Sequence, residues 1–120
     1  MAKQVYIQGL PPLEIPQGQD EGTVDWVIND TYEFHGIKMF MENPVFGDEV
    51  DFKILLPDGI TVAKDYSTNT LLTSNTKDIS VLINDKDEPA EIPAGLIVRF
   101  YYYAVDTLGR KAIMWLRLKK

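Results

Sequence analysis

The sequence contains no cysteine and a single histidine, His35. The absence of cysteine excludes disulfide bonds, thiolate zinc sites and a cysteine nucleophile. A serine-based triad would have to use His35, but no Gly-x-Ser-x-Gly motif is present to carry the serine. The phosphate-binding glycine patterns Gly-x-x-x-x-Gly-Lys and Gly-x-Gly-x-x-Gly are absent as well. We therefore expect no catalytic residue and no cofactor, and we interpret His35, beside Gly36, as a structural or sheet-edge residue.

Long hydrophobic runs are also missing. No apolar stretch approaches the ~20 residues that a membrane-spanning helix needs. The N-terminus, MAKQVYIQGLPP, lacks the apolar segment and small-residue cleavage site of a signal peptide. The net charge of −6 argues against a nucleic-acid partner, because phosphate contacts require a basic surface. We expect a protein made in the cytoplasm that binds neither a membrane nor a nucleic acid.

The charge is unevenly placed along the chain. From Leu96 to Lys120 there are 6 basic residues and 1 acidic residue, a net charge of +5, whereas the remainder has 6 basic and 17 acidic residues, a net charge of −11. Two interpretations stay open. The asymmetry reflects chance and solubility, or a basic C-terminal edge meets an acidic surface on a neighbouring copy or on another protein.

Proline and glycine recur between short segments rich in valine, isoleucine, phenylalanine, tyrosine and threonine, and no window shows a sustained helical period. This pattern predicts an all-β fold: a single antiparallel β-sandwich domain over residues 1–120 with about seven or eight short strands. The predicted strands cover residues 3–9, 23–29, 32–41, 50–56, 60–63, 79–83, 97–105 and 111–118. We expect a bulge near Gly36, a tight turn at Pro57–Gly59 and Trp26 as the central core aromatic. A helical turn around Leu71 is left open.

The last two strands predict a hairpin. Ala112, Met114, Leu116 and Leu118 alternate with more polar residues and would pair with Ala104, Tyr102, Phe100 and Val98. This register leaves Thr107–Gly109 as a three-residue loop in which Gly109 is left-handed.

The reverse face of this hairpin is the candidate interface. It would place Tyr101 across from Trp115, Tyr103 across from Ile113, and Arg99 across from Arg117. Tyrosine, tryptophan and arginine are enriched at binding hot spots. The face could contact a protein, stack on a sugar as a carbohydrate-binding or adhesion module, or be covered by a loop of the same chain, either Leu10–Gln19 or the segment around Leu71.

Acidic clusters offer weaker candidates for metal binding. The loop Asp85–Glu88 departs from the EF-hand pattern, because Pro89 stands where the turn glycine is expected. Asp48, Glu49 and Asp51 could join a cation site only if the fold brought that loop close to them. We expect no metal site, and we interpret Asp85–Glu88 as a solvated acidic loop.

Two segments carry a family resemblance. Residues 46–59, FGDEVDFKILLPDG, and 92–99, IPAGLIVR, resemble small all-β virion proteins of tailed bacteriophages. The resemblance implies a jelly-roll-like or immunoglobulin-like sandwich that acts as a head-decoration, neck or tail accessory subunit. It implies a virion location and binding to capsid or tail subunits or to further copies of the chain, and it transfers no functional residue.

Overall fold

The computed structural model describes residues 5–65, 70–71, 76–80 and 90–120. These residues contain eleven β-strands and no helix. In chain order the strands are β1 (Val5–Gly9), β2 (Leu13–Ile15), β3 (Glu21–Val27), β4 (Tyr32–Met41), β5 (Glu49–Leu55), β6 (Val62–Asp65), β7 (Thr70–Leu71), β8 (Thr76–Ser80), β9 (Ala90–Ile92), β10 (Ile97–Tyr103) and β11 (Arg110–Lys119). A helical turn around Leu71 was left open, and Leu71 lies instead in β7. The acidic loop Asp85–Glu88 lies outside the described residues.

The strands form two sheets in which every described pairing is antiparallel. In sheet A, β11 and β4 are central; β1 and β2 both pair with β11, and β8 and β9 both pair with β4. Sheet B has the order β3–β10–β5–β6, and β7 also pairs with β5. β1 and β2 together form one edge of sheet A, β8 and β9 form its other edge, and β6 and β7 form one edge of sheet B. If each of these pairs is counted as one strand, both sheets have four strands, which is the arrangement of a jelly roll. The predicted antiparallel sandwich is confirmed, in its jelly-roll-like form.

Most chain connections cross from one sheet to the other. β5 and β6 do form a hairpin, and the predicted turn between them is present: Gly59 has a φ of 73°. The Asp58 carboxylate accepts hydrogen bonds from the amides of Ile60 and Thr61, both at 2.8 Å. By contrast, the connections from β2 to β3, β3 to β4, β4 to β5 and β10 to β11 join strands of different sheets.

The predicted hairpin of the last two strands is therefore wrong. β10 lies between β3 and β5 in sheet B, whereas β11 lies in sheet A. The inward-facing residues were predicted correctly, because Val98, Phe100, Tyr102, Ala112, Met114, Leu116 and Leu118 are all buried. Gly109 is left-handed as expected, with a φ of 96°, but it belongs to an arch between sheets. An arch and a hairpin direct the same alternate residues inward, so alternation identifies the buried face and not the partner strand.

The core lies between the two sheets. Its largest fully buried side chains are Phe34, Phe52, Phe100 and Tyr102. Trp26 was predicted as the central aromatic, and this is wrong. It is partly buried and packs at the margin of the core, where its ring centroid lies 6.3 Å from that of Tyr32. Trp26 is in β3, an edge strand of sheet B, and an edge position leaves one side of the indole uncovered.

The predicted bulge near Gly36 is confirmed. In the pairing of β4 with β11, Arg117 is opposite Gly36 and Leu118 is opposite Phe34, so His35 is the additional residue. The additional residue of a bulge shifts the alternation of inward and outward side chains by one position along the strand. Phe34 and Ile37, which flank the bulge, both point into the core as a result.

A buried ion pair closes the end of the sandwich where β10 passes to β11. Asp48, in the loop between β4 and β5, is 0% exposed, and Arg110, at the start of β11, is 3% exposed. Asp48 Oδ2 accepts hydrogen bonds from Arg110 Nε at 2.7 Å and from the Tyr102 hydroxyl at 2.6 Å. Asp48 Oδ1 accepts from the Val105 amide at 2.9 Å. Asp48, which the sequence left open as a cation ligand, is thus occupied by protein donors.

The pKa of Asp48 shows the strength of this arrangement. Burial on its own would raise the pKa, but the hydrogen bonds from Arg110 and Tyr102 lower it from 3.8 to about 2. Burial also raises the pKa of the Tyr102 hydroxyl, and the adjacent Asp48 carboxylate raises it further. At neutral pH Asp48 is therefore a carboxylate, Arg110 a guanidinium cation and Tyr102 a neutral phenol.

Substitution of Arg110 should destabilise the fold severely. Arg110→Met leaves the Asp48 carboxylate buried without its cation, and we expect a loss of about 3–5 kcal/mol in the free energy of unfolding. The matched control is Arg99→Met, which breaks a partly exposed pair with Asp25 and should cost no more than about 1 kcal/mol. Urea unfolding at pH 7 measures both. Equal losses in the two variants would contradict a structural role for the buried pair.

The same network predicts an acid dependence. Because the folded-state pKa of Asp48 is depressed, its contribution is complete above about pH 4 and is lost as the pH falls toward 2. A shift from 3.8 to about 2 corresponds to about 2 kcal/mol. Urea unfolding between pH 5 and pH 2 should show this component in the wild-type protein and lack it in Asp48→Asn. Identical slopes in the two proteins would contradict the assignment.

Candidate interaction surfaces

The six residues predicted to form one interface lie on two opposite surfaces of the sandwich. The outer surface of sheet B carries Arg99, Tyr101 and Tyr103, and the outer surface of sheet A carries Ile113, Trp115 and Arg117. Tyr101 is opposite Thr23 and Asp51, whereas Trp115 is opposite Gly9 and Lys38. The predicted single strip is therefore wrong. The reason is the arch, which separates the two strands while leaving their outward residues outward.

The outer surface of sheet B around Tyr101 and Tyr103 is called the tyrosine face below. The two rings stack with centroids 6.2 Å apart and planes within 9° of parallel. Lys53 Nζ lies 5.0 Å from the centroid of the Tyr101 ring, which is cation–π geometry. The rings follow each other at i and i+2 on one strand, so the strand itself holds them in register.

Arg99 is fixed at one end of the tyrosine face. Its guanidinium binds the Asp25 carboxylate in a bidentate manner, with Nε–Oδ1 at 2.7 Å and Nη2–Oδ2 at 2.8 Å. Nη1 donates to the Gly59 carbonyl at 3.1 Å. The predicted opposition of Arg99 to Arg117 is wrong, since β3 and β5 provide the cross-strand neighbours. The Asp25 hydrogen bonds raise the pKa of Arg99, which is a permanent cation.

Carboxylates surround the other end of the tyrosine face. Tyr103 has Glu21 and Glu49 as its cross-strand neighbours, and Asp51 is opposite Tyr101 on β5. Burial raises the pKa of the Tyr103 hydroxyl, and the negative charges of Asp51, Glu21 and Glu49 raise it further. A cavity of about 300 Å³ opens here, lined by Glu21, Gly22, Thr23, Tyr101 and Tyr103. This acidic cleft was not predicted, because pairing Tyr103 with Glu21 depends on the register of β3.

The outer surface of sheet A is called the apolar face below. Its apolar side chains are Val5, Ile7, Phe40, Ile113 and Trp115. Val5 is 63% exposed, Ile7 62%, Ile113 53% and Phe40 41%. Phe40 and Ile113 are direct cross-strand neighbours. Alternation in β4 could have identified Phe40, because Met39 and Met41 on either side are buried.

Basic side chains accompany the apolar face. Lys38 is opposite Trp115, Arg117 is opposite Ile7, and Lys119 is opposite Val5. Arg117 Nε is buried and has no hydrogen-bond partner in the described part of the chain. The predicted basic C-terminal edge is smaller than the sequence indicates. Arg110 is buried in the core, and Lys120 forms an ion pair with Asp30.

The proposed cover by Leu10–Gln19 is wrong. This segment contains β2, which pairs with β11 as part of sheet A, and Leu10, Leu13 and Ile15 are buried in the core. Its residues therefore extend the sheet edge and do not lie over either outer surface. The second proposed cover was the segment around Leu71. Residues 70–71 of this segment form β7, which pairs with β5 in sheet B.

His35 is the single histidine of the chain, and it lies at the bulge in β4. His35 Nε2 lies 3.6 Å from Glu33 Oε1 at the bulge. Within residues 5–65, 70–71, 76–80 and 90–120 there is no group of three or more histidine, aspartate or glutamate side chains that could hold a metal ion. The same residues include no helix long and apolar enough to cross a membrane.

A wider cavity of about 630 Å³ lies beside Glu14, Glu42 and Lys111 at the closed end of the sandwich.

Comparison with known proteins shows which solved structures have a similar fold. No protein-family model and no curated protein sequence matches the chain. Among solved structures, the VP2 subviral particle of infectious bursal disease virus is similar, with a TM-score of 0.50 and 15% identity over 98% of this chain and 32% of that one. A structure of the Gx strain of the same virus gives a TM-score of 0.53 and 13% identity, over 99% of this chain and 32% of that one.

The chain thus spans about a third of the length of these viral structures. At such low identity the likeness concerns the fold alone. The two-sheet sandwich described above is the arrangement that the chain shares with viral particle proteins.

Proposed function

We propose that this protein is a non-catalytic structural or accessory subunit of a virion, which binds capsid or tail subunits and further copies of itself in a decoration or cement role. The similarity to viral particle structures supports the class. The described residues add two extended outer surfaces with side chains suited to protein contact. A subunit of this kind works by binding to its neighbours, so its function resides in its surfaces.

The observation that carries the proposal is the apolar face. Val5, Ile7, Phe40 and Ile113 are each more than 40% exposed, and all lie on three adjacent strands. Contiguous apolar surface of this kind marks interaction sites on soluble proteins. Trp115 lies among them on β11, opposite Gly9, which has no side chain to cover the indole. Tryptophan is among the residues that contribute most to binding energy at protein interfaces.

Loss of two apolar side chains from the apolar face should weaken association. In Ile7→Ser/Ile113→Ser two exposed side chains become polar without a change in the core, so we expect cooperative unfolding to be retained. Self-association, and binding to virion particles, should weaken by at least about tenfold. Sedimentation velocity over a range of concentrations measures the first, and co-sedimentation with particles measures the second.

The matched control is Phe46→Ser/Ile60→Ser. Phe46 is 81% exposed and Ile60 is 82% exposed, but both lie in loops away from the apolar face. This variant should associate as the wild-type protein does. A wild-type protein that stays monomeric at high concentration and binds no virion component would contradict the proposed function.

A further inference from the structure

We propose that the acidic cleft beside Tyr103 receives a basic side chain from the apolar face of a second copy, so that copies stack head to tail. This inference rests on the proposed function and specifies how one subunit contacts the next. The junction would join the tyrosine face of one copy to the apolar face of its neighbour. The two surfaces differ in chemistry, and that difference carries the argument.

The cleft favours a cation. Glu21, Glu49 and Asp51 surround the stacked rings of Tyr101 and Tyr103. The cation of Arg99 is engaged by Asp25, and that of Lys53 lies over the Tyr101 ring. The Tyr103 end therefore has three carboxylates beside an aromatic face. An ammonium or guanidinium gains from both the negative charge and the ring quadrupole.

An unpartnered atom on the β5 side of the tyrosine rings indicates that a donor is missing. Asp51 is only 9% exposed, and its Oδ1 is buried with no hydrogen-bond partner among the described residues. Buried polar atoms are almost always paired, and one left unpaired is unfavourable. The Asp51 carboxylate lies on the outer side of sheet B, so its negative charge adds to that of Glu21 and Glu49 for a cation that approaches from a neighbouring molecule.

The apolar face offers the complementary group. Arg117 Nε is a buried donor with no partner in the described part of the chain, and Lys38 and Lys119 lie near it on the same surface. The outer surface of sheet B thus has carboxylates around two tyrosine rings, and that of sheet A has Arg117 between Trp115 and Lys119, with Glu33 opposite Lys119.

A second copy is the occupant that this arrangement selects. Within one molecule the two surfaces are on opposite sides of the sandwich and cannot meet. Between molecules, a contact of unlike surfaces is heterologous: each copy still has one free surface of each kind. Such a contact extends into a ring or a filament, whereas a contact of like surfaces stops at a dimer.

The test uses two charge-reversal variants. Glu21→Lys/Glu49→Lys disables the cleft, and Lys38→Glu/Arg117→Glu disables the basic groups of the apolar face. Each variant alone should associate at least about 100-fold more weakly than the wild-type protein, because like charges then oppose each other. Mixed in equal amounts, the two retain one intact cleft and one intact apolar face. The reversed cleft of the first variant is also opposite in charge to the reversed face of the second, so we expect the mixture to regain association in species that contain equal numbers of the two chains, measured by native mass spectrometry and sedimentation.

The control is Asp58→Lys, which reverses one exposed carboxylate in the turn between β5 and β6, away from the Tyr103 end of sheet B and from the apolar face, and should associate normally. If the cleft variant assembles as the wild type does while Ile7→Ser/Ile113→Ser fails, the proposed function stands and this inference is overturned. Homodimers of either charge variant would overturn it too, as would a cleft that binds a glycan in a wild-type protein that does not self-associate.

Discussion

The ion pair between Asp48 and Arg110 holds the crossing point of the fold together. Three segments meet there: the loop between β4 and β5, the end of β10 with Tyr102, and the start of β11. Both charged groups are almost fully buried, so each is tolerated only because the other is present. Arg110 also binds Asp106, which lies within the arch itself. The network thus holds the chain where it leaves sheet B and enters sheet A.

This arch determines which surfaces the protein presents. A hairpin at the same place would have put Tyr101 beside Trp115 on one mixed surface. The arch instead places the stacked tyrosines with carboxylates on sheet B, and Trp115 with exposed aliphatic side chains on sheet A. One surface is acidic and aromatic, and the other is apolar with basic groups. A molecule with two unlike surfaces on opposite sides is suited to repeated contact with its own kind.

Local patterns in the sequence predict much of this structure. Alternation identifies the inward residues of β10 and β11, Pro57–Gly59 predicts the hairpin turn, and Gly36 predicts the bulge. Each of these features depends on residues that are close together in the chain. The partner strands could not be predicted in the same way, because an arch and a hairpin of equal length leave the same alternation.

The functional surfaces depend on the pairing that local patterns miss. Asp48 and Arg110 are 62 residues apart, and nothing in their neighbourhoods indicates that they meet. Tyr103 gains its carboxylate neighbours only once β3 and β5 are placed on either side of β10. Each of the six candidate residues does face outward, but they belong to two surfaces. The correction from one surface to two changes the expected assembly from a single contact patch to a directional junction.

Cross-linking through single introduced cysteines tests the central claim most directly, since the chain has none of its own. Thr23→Cys places a thiol on the tyrosine face, and Ile113→Cys places one on the apolar face. A mixture of the two variants, treated with a short bifunctional maleimide, should give cross-linked dimers that contain one chain of each kind. Cross-links confined to like pairs, Thr23→Cys with itself or Ile113→Cys with itself, would contradict the head-to-tail account.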